Sequence, residues 1–235
     1  MPEWSTAFPS NSSDQDHSPF TKRDTALFYE PGKTDHGLSK NPFNSLVIPR
    51  PIGWITSVDT AGIVNLAPYS FFNAVSYRPP MVMFSASRGS SSPDDDHKDS
   101  QRNIEETGEF VCNITTWETR EAMNATAANV GKDVDELALA GLTAEASVTV
   151  KPPRVAEVPV HLECNFIKTV ELPGDGPDDV YCVIFGQVVG IHIKDDFITE
   201  DGQVDVGKML PIARLGYQDY AVVNSDTIFS MQRPE

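Results

Sequence analysis

Two stretches of this 235-residue chain carry side chains whose types and spacing could do chemistry. The first is Lys98-Asp99-Ser100-Gln101-Arg102-Asn103. A helix that starts near Asp99 or Ser100 presents unpaired backbone N–H groups and the positive end of its dipole. Lys98 adds a full charge at that mouth, Ser100 a hydroxyl and Arg102 a second cation, a set able to hold a phosphate. The same residues also describe an ordinary helix start with an exposed lysine. The second stretch is Trp54-Ile55-Thr56-Ser57 with Asn65-Leu66-Ala67-Pro68-Tyr69-Ser70-Phe71-Phe72-Asn73. Hydroxyls, an amide and backbone donors lie there among large aromatics. That mixture suits a flat heteroaromatic ligand with a polar edge and apolar faces, and equally a polar-decorated strand and bend. Pro68 lacks an N–H, so it is expected to hold the chain out of regular pairing and free its neighbours' donors.

The elements that must position these residues are mostly strands. Ile52–Val58 is β-prone and closed by the turn chemistry of Asp59-Thr60-Ala61-Gly62; Ile63–Ala67 and Met81–Phe84 continue the extended pattern. The polar run from Ser87 reads as a loop, followed by a helix over Lys98–Glu109 that ends near Gly108, then a strand over Phe110–Ile114. Helices are expected over Trp117–Ala128 and Asp133–Ala140, the latter stopped by Gly141. Val148–Val155, Val160–Glu171 and Tyr181–Ile193 read as strands. There is no regular strand–helix alternation, so an antiparallel barrel or sandwich is favoured over a doubly wound sheet.

Other chemistries find no support. Neither G-x-G-x-x-G nor a P-loop is present, nor a G-x-S-x-G elbow or H-E-x-x-H. Asp94-Asp95-Asp96-His97 cannot aim four adjacent side chains at one metal and reads as a solvated loop; no metal is expected. His192 has the titration range for proton work but reads as a strand residue. Cys112, Cys164 and Cys182, an odd set without C-x-x-C spacing among apolar neighbours, read as small buried hydrophobes in a reducing, cytoplasmic setting. The opening twenty residues lack a basic and an apolar segment and read as a loosely ordered arm, residues 1–22. No apolar run approaches the roughly 18 residues that span a bilayer.

The formal charge of −16 argues against nucleic-acid or anionic-membrane partners. It is uneven: residues 1–88 carry seven basic and seven acidic side chains, residues 89–235 eleven and twenty-seven. Arg78, Arg88, Lys98 and Arg102 fall near the two candidate stretches.

Four blocks together resemble a known family. Arg50-Pro51-Ile52-Gly53-Trp54-Ile55-Thr56-Ser57, Asn65 through Ser76, Pro79-Pro80-Met81-Val82-Met83-Phe84-Ser85 and Lys98-Asp99-Ser100-x-x-Asn103-Ile104 are similar, in order and spacing, to the flavin reductase-like FMN-binding split-barrel proteins, in their flavoredoxin branch. Phe185–Ile193 and Arg214-Leu215-Gly216-Tyr217-x-x-Tyr220 extend the likeness, which covers about Asn41 to Val222. The resemblance implies a mainly β, Greek-key split β-barrel over residues 23–235, with a few peripheral helices. It further implies a homodimer with FMN near the interface, NADH or NADPH as reductant and a possible electron-acceptor protein. The ring's polar edge would meet Thr56, Ser57, Ala67, Pro68, Tyr69, Ser70 and Asn73, with Trp54 and Phe71 as apolar cover. The phosphate would meet Ser85, Ser87, Arg88, Lys98 and Ser100, with Asp99 and Asn103 shaping the turn. No side chain is expected to be catalytic. Ser100 stands where the family usually has threonine, and the aspartate-rich loop before Lys98 is longer than usual. An electron carrier without NAD(P)H activity and a flavin-free structural dimer are the alternative readings.

Overall fold

The computed structural model describes residues 26–87, 98–128, 130–131, 134–176 and 180–234. The expected arm and the Asp94–Asp96 loop lie outside these residues. The chain divides into two compact units, Met1–Phe43 and Asn44–Glu235. In the first, Lys33 and Thr34 donate their backbone N–H groups to the Glu30 carbonyl, each at 3.0 Å, and Tyr29 packs edge-on against His36.

In chain order the elements are α1 (Phe43–Leu46), β1 (Arg50–Pro51), β2 (Gly53–Val58), β3 (Val64–Tyr69), β4 (Phe72–Tyr77), β5 (Pro80–Ser87), α2 (Asp99–Thr107), β6 (Glu109–Ile114), α3 (Arg120–Ala125), α4 (Glu136–Leu139), β7 (Ala144–Glu145), β8 (Arg154–Val155), β9 (Val160–Leu172) and β10 (Tyr181–Ile193), then α5 (Val206–Met209), β11 (Ile212–Arg214) and β12 (Tyr220–Val222). One antiparallel sheet runs β3-β2-β6-β9-β10-β5-β4. Its two outer strands, β3 and β4, are consecutive and joined by Ser70 and Phe71 alone. Two residues cannot cross a flat seven-stranded sheet, so the sheet must curl until its edges meet. At the seam Tyr69 packs on Phe84 with ring centroids 4.6 Å apart, and Ser85 N–H donates to the Phe71 carbonyl at 2.8 Å. Gly53 permits the approach: a Cβ there would lie 2.6 Å from Phe72 Cδ2. The result is a mainly β barrel with an unpaired seam.

β2 is buried on both faces, and its alternation divides two cores. Ile55 points into the barrel with Phe84, Phe110, Ile184 and the three cysteines. Trp54 points outward into a second core with Leu66, Met123, Leu137 and Val155. Cys112, Cys164 and Cys182 are unpaired and buried, as expected of small hydrophobes. The helix at Asp99–Thr107 ends where Gly108 takes a φ of +80° and returns its N–H to the Ile104 carbonyl.

Three expectations need correction. The helix expected over 117–128 is confined to Arg120–Ala125, because Thr116 and Thr119 turn the preceding chain through their own hydroxyls. Its neighbour is confined to Glu136–Leu139 among the described residues, with the Asp135 side chain accepting from Ala138 N–H at 3.0 Å. The strand expected over Val148–Val155 exists only at its last two residues. Val148 and Thr149 instead give their N–H groups to the Glu163 carboxylate at 2.8 and 2.6 Å, and Pro152 and Pro153 cannot donate to a ladder at all. Among the described residues no helix is long and apolar enough to cross a membrane.

Candidate functional site

A cavity of about 140 Å³ lies between the edge strand β3, the first turn of α2, and Thr126, Ala127, Ala128, Val130 and Glu136. β3 contributes Asn65, Ala67, Pro68 and Tyr69; α2 contributes Asp99 and Ser100, with Lys98 immediately before it. In an antiparallel strand the N–H and C=O of one residue point the same way and alternate along the chain. Leu66 N–H points away from β2, because it donates to Glu136 Oε2 at 3.1 Å. Pro68 has the same parity, so its missing N–H removes no ladder bond and its carbonyl points outward. The expectation about Pro68 is therefore corrected. It pairs in register with Trp54, and its neighbours Ala67 and Tyr69 direct their donors into the ladder.

Behind the cavity wall the polar side chains are joined. Glu136, 7% exposed, accepts from Asn65 Nδ2 at 2.9 Å. Asn65 Oδ1 accepts from the Ser100 hydroxyl at 2.6 Å and from Ser57 Oγ at 3.5 Å; Ser57 Oγ in turn accepts from Asn103 Nδ2 at 3.3 Å. Burial pushes the Tyr69 phenol up to about 12. Burial also raises the Glu136 carboxyl above its ordinary range, opposed by its hydrogen bonds and reinforced by the charge of Asp99.

The residues singled out from sequence fall into three groups. Ala67, Pro68, Tyr69, Lys98, Asp99 and Ser100 line the cavity. Trp54, Thr56, Ser57 and Asn103 lie behind it, buried. Trp54 is thereby a core residue and not cover for a ligand; its indole N–H donates to Thr126 Oγ1 at 2.8 Å. The Thr56 hydroxyl accepts from Asn113 Nδ2 at 2.6 Å. Ser70, Phe71, Asn73, Ser85 and Ser87 stand apart from the cavity lining, on the seam and on β4 and β5. Phe71 lies beneath the Arg50 guanidinium, 5.6 Å from its ring centre. Asn73 is exposed and accepts from Ala74 N–H at 2.9 Å. Arg88 lies outside the described residues. Arg102 is drawn to Asp99 of its own helix turn, which leaves Lys98 as the cation among the lining residues.

Sequence reasoning missed Glu136 and Thr126. In Asp135-Glu136-Leu137-Ala138-Leu139 the two acids look alike; only the fold turns one outward as a helix cap and buries the other.

His192, read from sequence as a strand residue, sits on β10 with Nε2 2.5 Å from Glu163 Oε1, away from the cavity. Among the described residues no group of three or more His, Cys, Asp or Glu is placed to hold a metal.

The comparisons agree with this architecture. Residues 45–219 match the family described as flavin reductase like domain. An uncharacterized protein of Aquifex aeolicus is 40% identical over 175 residues, covering 74% of this chain and 85% of that protein. The crystal structure of nitrilotriacetate monooxygenase component B from Bacillus cereus superposes with a TM-score of 0.78 at 31% identity, covering 89% of this chain and 100% of that one. At the level of fold, the flavoredoxin of Desulfovibrio vulgaris (Miyazaki F) matches with a TM-score of 0.66 at 19% identity, over 79% of this chain and 91% of that one. The curled antiparallel sheet, the matched span and the likeness to these proteins lead to one assignment: the chain belongs to the flavin reductase-like family.

Proposed function

We propose that this protein binds FMN against β3 and the start of α2 and acts as an NAD(P)H-dependent flavin reductase. The family match supports a flavin-linked oxidoreductase. The observation that carries the cofactor reading is Lys98, a cation at the N-terminus of a nine-residue helix, beside the apolar wall of Ala67, Pro68 and Tyr69. Donors of that kind suit a phosphate, and a flat wall with an outward carbonyl suits a heteroaromatic ring carrying an N–H. At about 140 Å³ the cavity receives only part of an FMN molecule; pockets that enclose a whole ligand begin at roughly 300 Å³. The remainder would lie over adjoining surface, or against a second copy.

Bound FMN supplies acceptance of a hydride from NADH or NADPH. The chain's own part is placement. Lys98 would neutralise the phosphate, the Ala67–Tyr69 run of β3 would give the ring an apolar wall, and the Pro68 carbonyl would accept from a donor on the ligand. No side chain is assigned as an acid or base.

A homodimer is part of this proposal. Ile167, Val170, Leu172, Tyr181, Val189 and Ile191 expose apolar surface on the long β9–β10 pair, an area a second copy would cover. Sedimentation at micromolar concentration tests it, with twice the chain mass expected.

Purified protein is expected to carry or take up FMN, with quenching of flavin fluorescence, and then to oxidise NADH or NADPH steadily. Flavin binding without nicotinamide oxidation would replace the reductase reading with that of an electron carrier; absence of flavin binding would remove both. Lys98→Ala is expected to weaken FMN about 10- to 100-fold, the size of a lost charge-assisted contact. Riboflavin, which lacks the phosphate, should bind the variant as it binds the wild type. Equal loss for the two flavins would overturn the phosphate assignment.

A further inference from the structure

The three-stranded sheet β1-β11-β12 contributes nothing to the cavity lining, yet it sets two arginines opposite each other. Arg50 on β1 is the register partner of Arg214 on β11, and Arg214 that of Tyr220 on β12. Register partners put their side chains on one face of a sheet, and like charges placed directly opposite repel. Burial lowers the Arg50 pKa, and the charge of Arg214 lowers it further. Among the described residues neither guanidinium forms an ion pair with a carboxylate. What holds them is neutral. Arg50 Nη1 donates to the Asn44 carbonyl and, at 2.8 Å, to that of Val47, and its guanidinium lies 5.6 Å from the centre of the Phe71 ring. Arg214 donates to the Tyr217 carbonyl and the Tyr220 hydroxyl, 4.5 Å over the Tyr220 ring.

These contacts leave one edge of each fork unused. Arg50 Nε is buried without a hydrogen-bond partner, and among the described residues neither Arg50 Nη2 nor Arg214 Nε meets an acceptor. The Nε–Nη2 edge of a guanidinium is the one that takes an oxyanion through two parallel bonds. Arg50 is 7% exposed, so its side chain is held in place before any ligand arrives. Two facing charges without a counter-charge call for a dianion. A phosphate brings nearly two negative charges and three oxygens, a carboxylate one charge and two oxygens. In a chain of net charge −16 a local pair of cations is what lets such an anion approach. Phe71 stands two residues past the cavity residue Tyr69, about 7 Å of chain at most. We propose that Arg50 and Arg214 form a second anion site, separate from Lys98, that receives a phosphate of the nicotinamide dinucleotide while FMN occupies the cavity. The proposal rests on the flavin reductase reading above for the source of that phosphate.

Calorimetry with inorganic pyrophosphate tests the site directly. In phosphate-free buffer with FMN in excess, so that Lys98 is engaged, the wild type is expected to bind a single pyrophosphate. Arg214→Gln removes one of the two charges and should bind it at least about tenfold more weakly, the size of a lost charge-assisted contact. Arg50→Lys keeps the charge but not the fork, and a smaller loss is expected. Both arginines also hold backbone carbonyls, so the urea transition of each variant is measured alongside. If Arg214→Gln does not fold, Arg214→Lys takes its place, with the same smaller loss expected. In steady-state oxidation of NADH or NADPH, Arg214→Gln should raise KM about tenfold while kcat stays within about twofold. Pyrophosphate should compete with the nicotinamide.

Absence of pyrophosphate binding by the wild type, or equal binding by wild type and a folded Arg214→Gln, overturns the site. An unmoved KM in a variant that has lost pyrophosphate overturns the part given to the dinucleotide and assigns the site to free phosphate. If the wild type takes up no FMN or oxidises no nicotinamide, the functional reading fails by itself. Pyrophosphate titration of flavin-free Lys98→Ala then still decides the arginine pair: binding that disappears when Arg214→Gln is added supports it, and no binding in Lys98→Ala overturns it.

Discussion

Glu163→Gln is expected to lower stability at neutral pH by about 3–5 kcal/mol, the usual cost of breaking a buried charged cluster. The Glu163 side chain has no exposed surface. Its carboxylate accepts from Val148 N–H, Thr149 N–H, the Thr149 hydroxyl and His192 Nε2. Burial alone would raise its pKa, but these donors outweigh burial and bring it to about 2 from an ordinary 4.5. A glutamine keeps the shape yet turns an NH₂ group towards donors, leaving at least one unsatisfied inside the protein. The pH dependence follows from the sign of the shift. A depressed carboxyl contributes fully above the unfolded value of 4.5 and loses its contribution as pH falls towards about 2. The difference in urea midpoint between wild type and Glu163→Gln should therefore be largest at pH 7 and shrink to less than half by about pH 3. An equal difference at both pH values would show that the carboxylate's charge is not what the donors hold.

Gly186→Ala is expected to cost at least about 3 kcal/mol or to prevent folding. Gly186 sits in the middle of β10, where a glycine weakens a strand unless something needs the space. A Cβ there would lie 2.3 Å from Phe110 Cζ and 3.3 Å from Cys164 Cβ. Phe110 is fully buried at the centre of the barrel, packed edge-on against Phe84, so its ring has nowhere to withdraw. The register between β9 and β10 shifts at Phe185/Gly186, and the added methyl would press on that irregularity as well. Combining Gly186→Ala with Phe110→Leu should recover part of the loss by removing the ring that collides. Thermal unfolding of the two variants checks this; a double variant no better than the single would place the strain in the backbone instead.

Elements whose local chemistry and surroundings agree were legible in the sequence. Tyr181–Ile193 forms a strand over its whole expected span, and Gly108 ends α2 where a left-handed residue is required. Barrel closure was not legible from periodicity, since alternation says which face is buried but not that β3 and β4 meet around a seam; it came from the resemblance. Val148 and Thr149 read as strand because they are β-branched, yet their backbone donors are satisfied by Glu163, a side chain fifteen and fourteen residues further on. The same blindness hid the cavity's anchor. Lys98 and the Ala67–Tyr69 run announce themselves by residue type, whereas Glu136 matters through Asn65 and Leu66, seventy-one and seventy positions earlier.

The three interior cysteines have a practical consequence. Each is at most 1% exposed, so none is within reach of a reagent, and burial raises the Cys112 thiol well above its ordinary range. A maleimide or disulfide reagent should leave the intact protein unlabelled and modify all three positions once the barrel opens. The chain carries its own clock for global opening. Labelling rates would rank Glu163→Gln and Gly186→Ala by how often each molecule comes apart under native conditions, without denaturant.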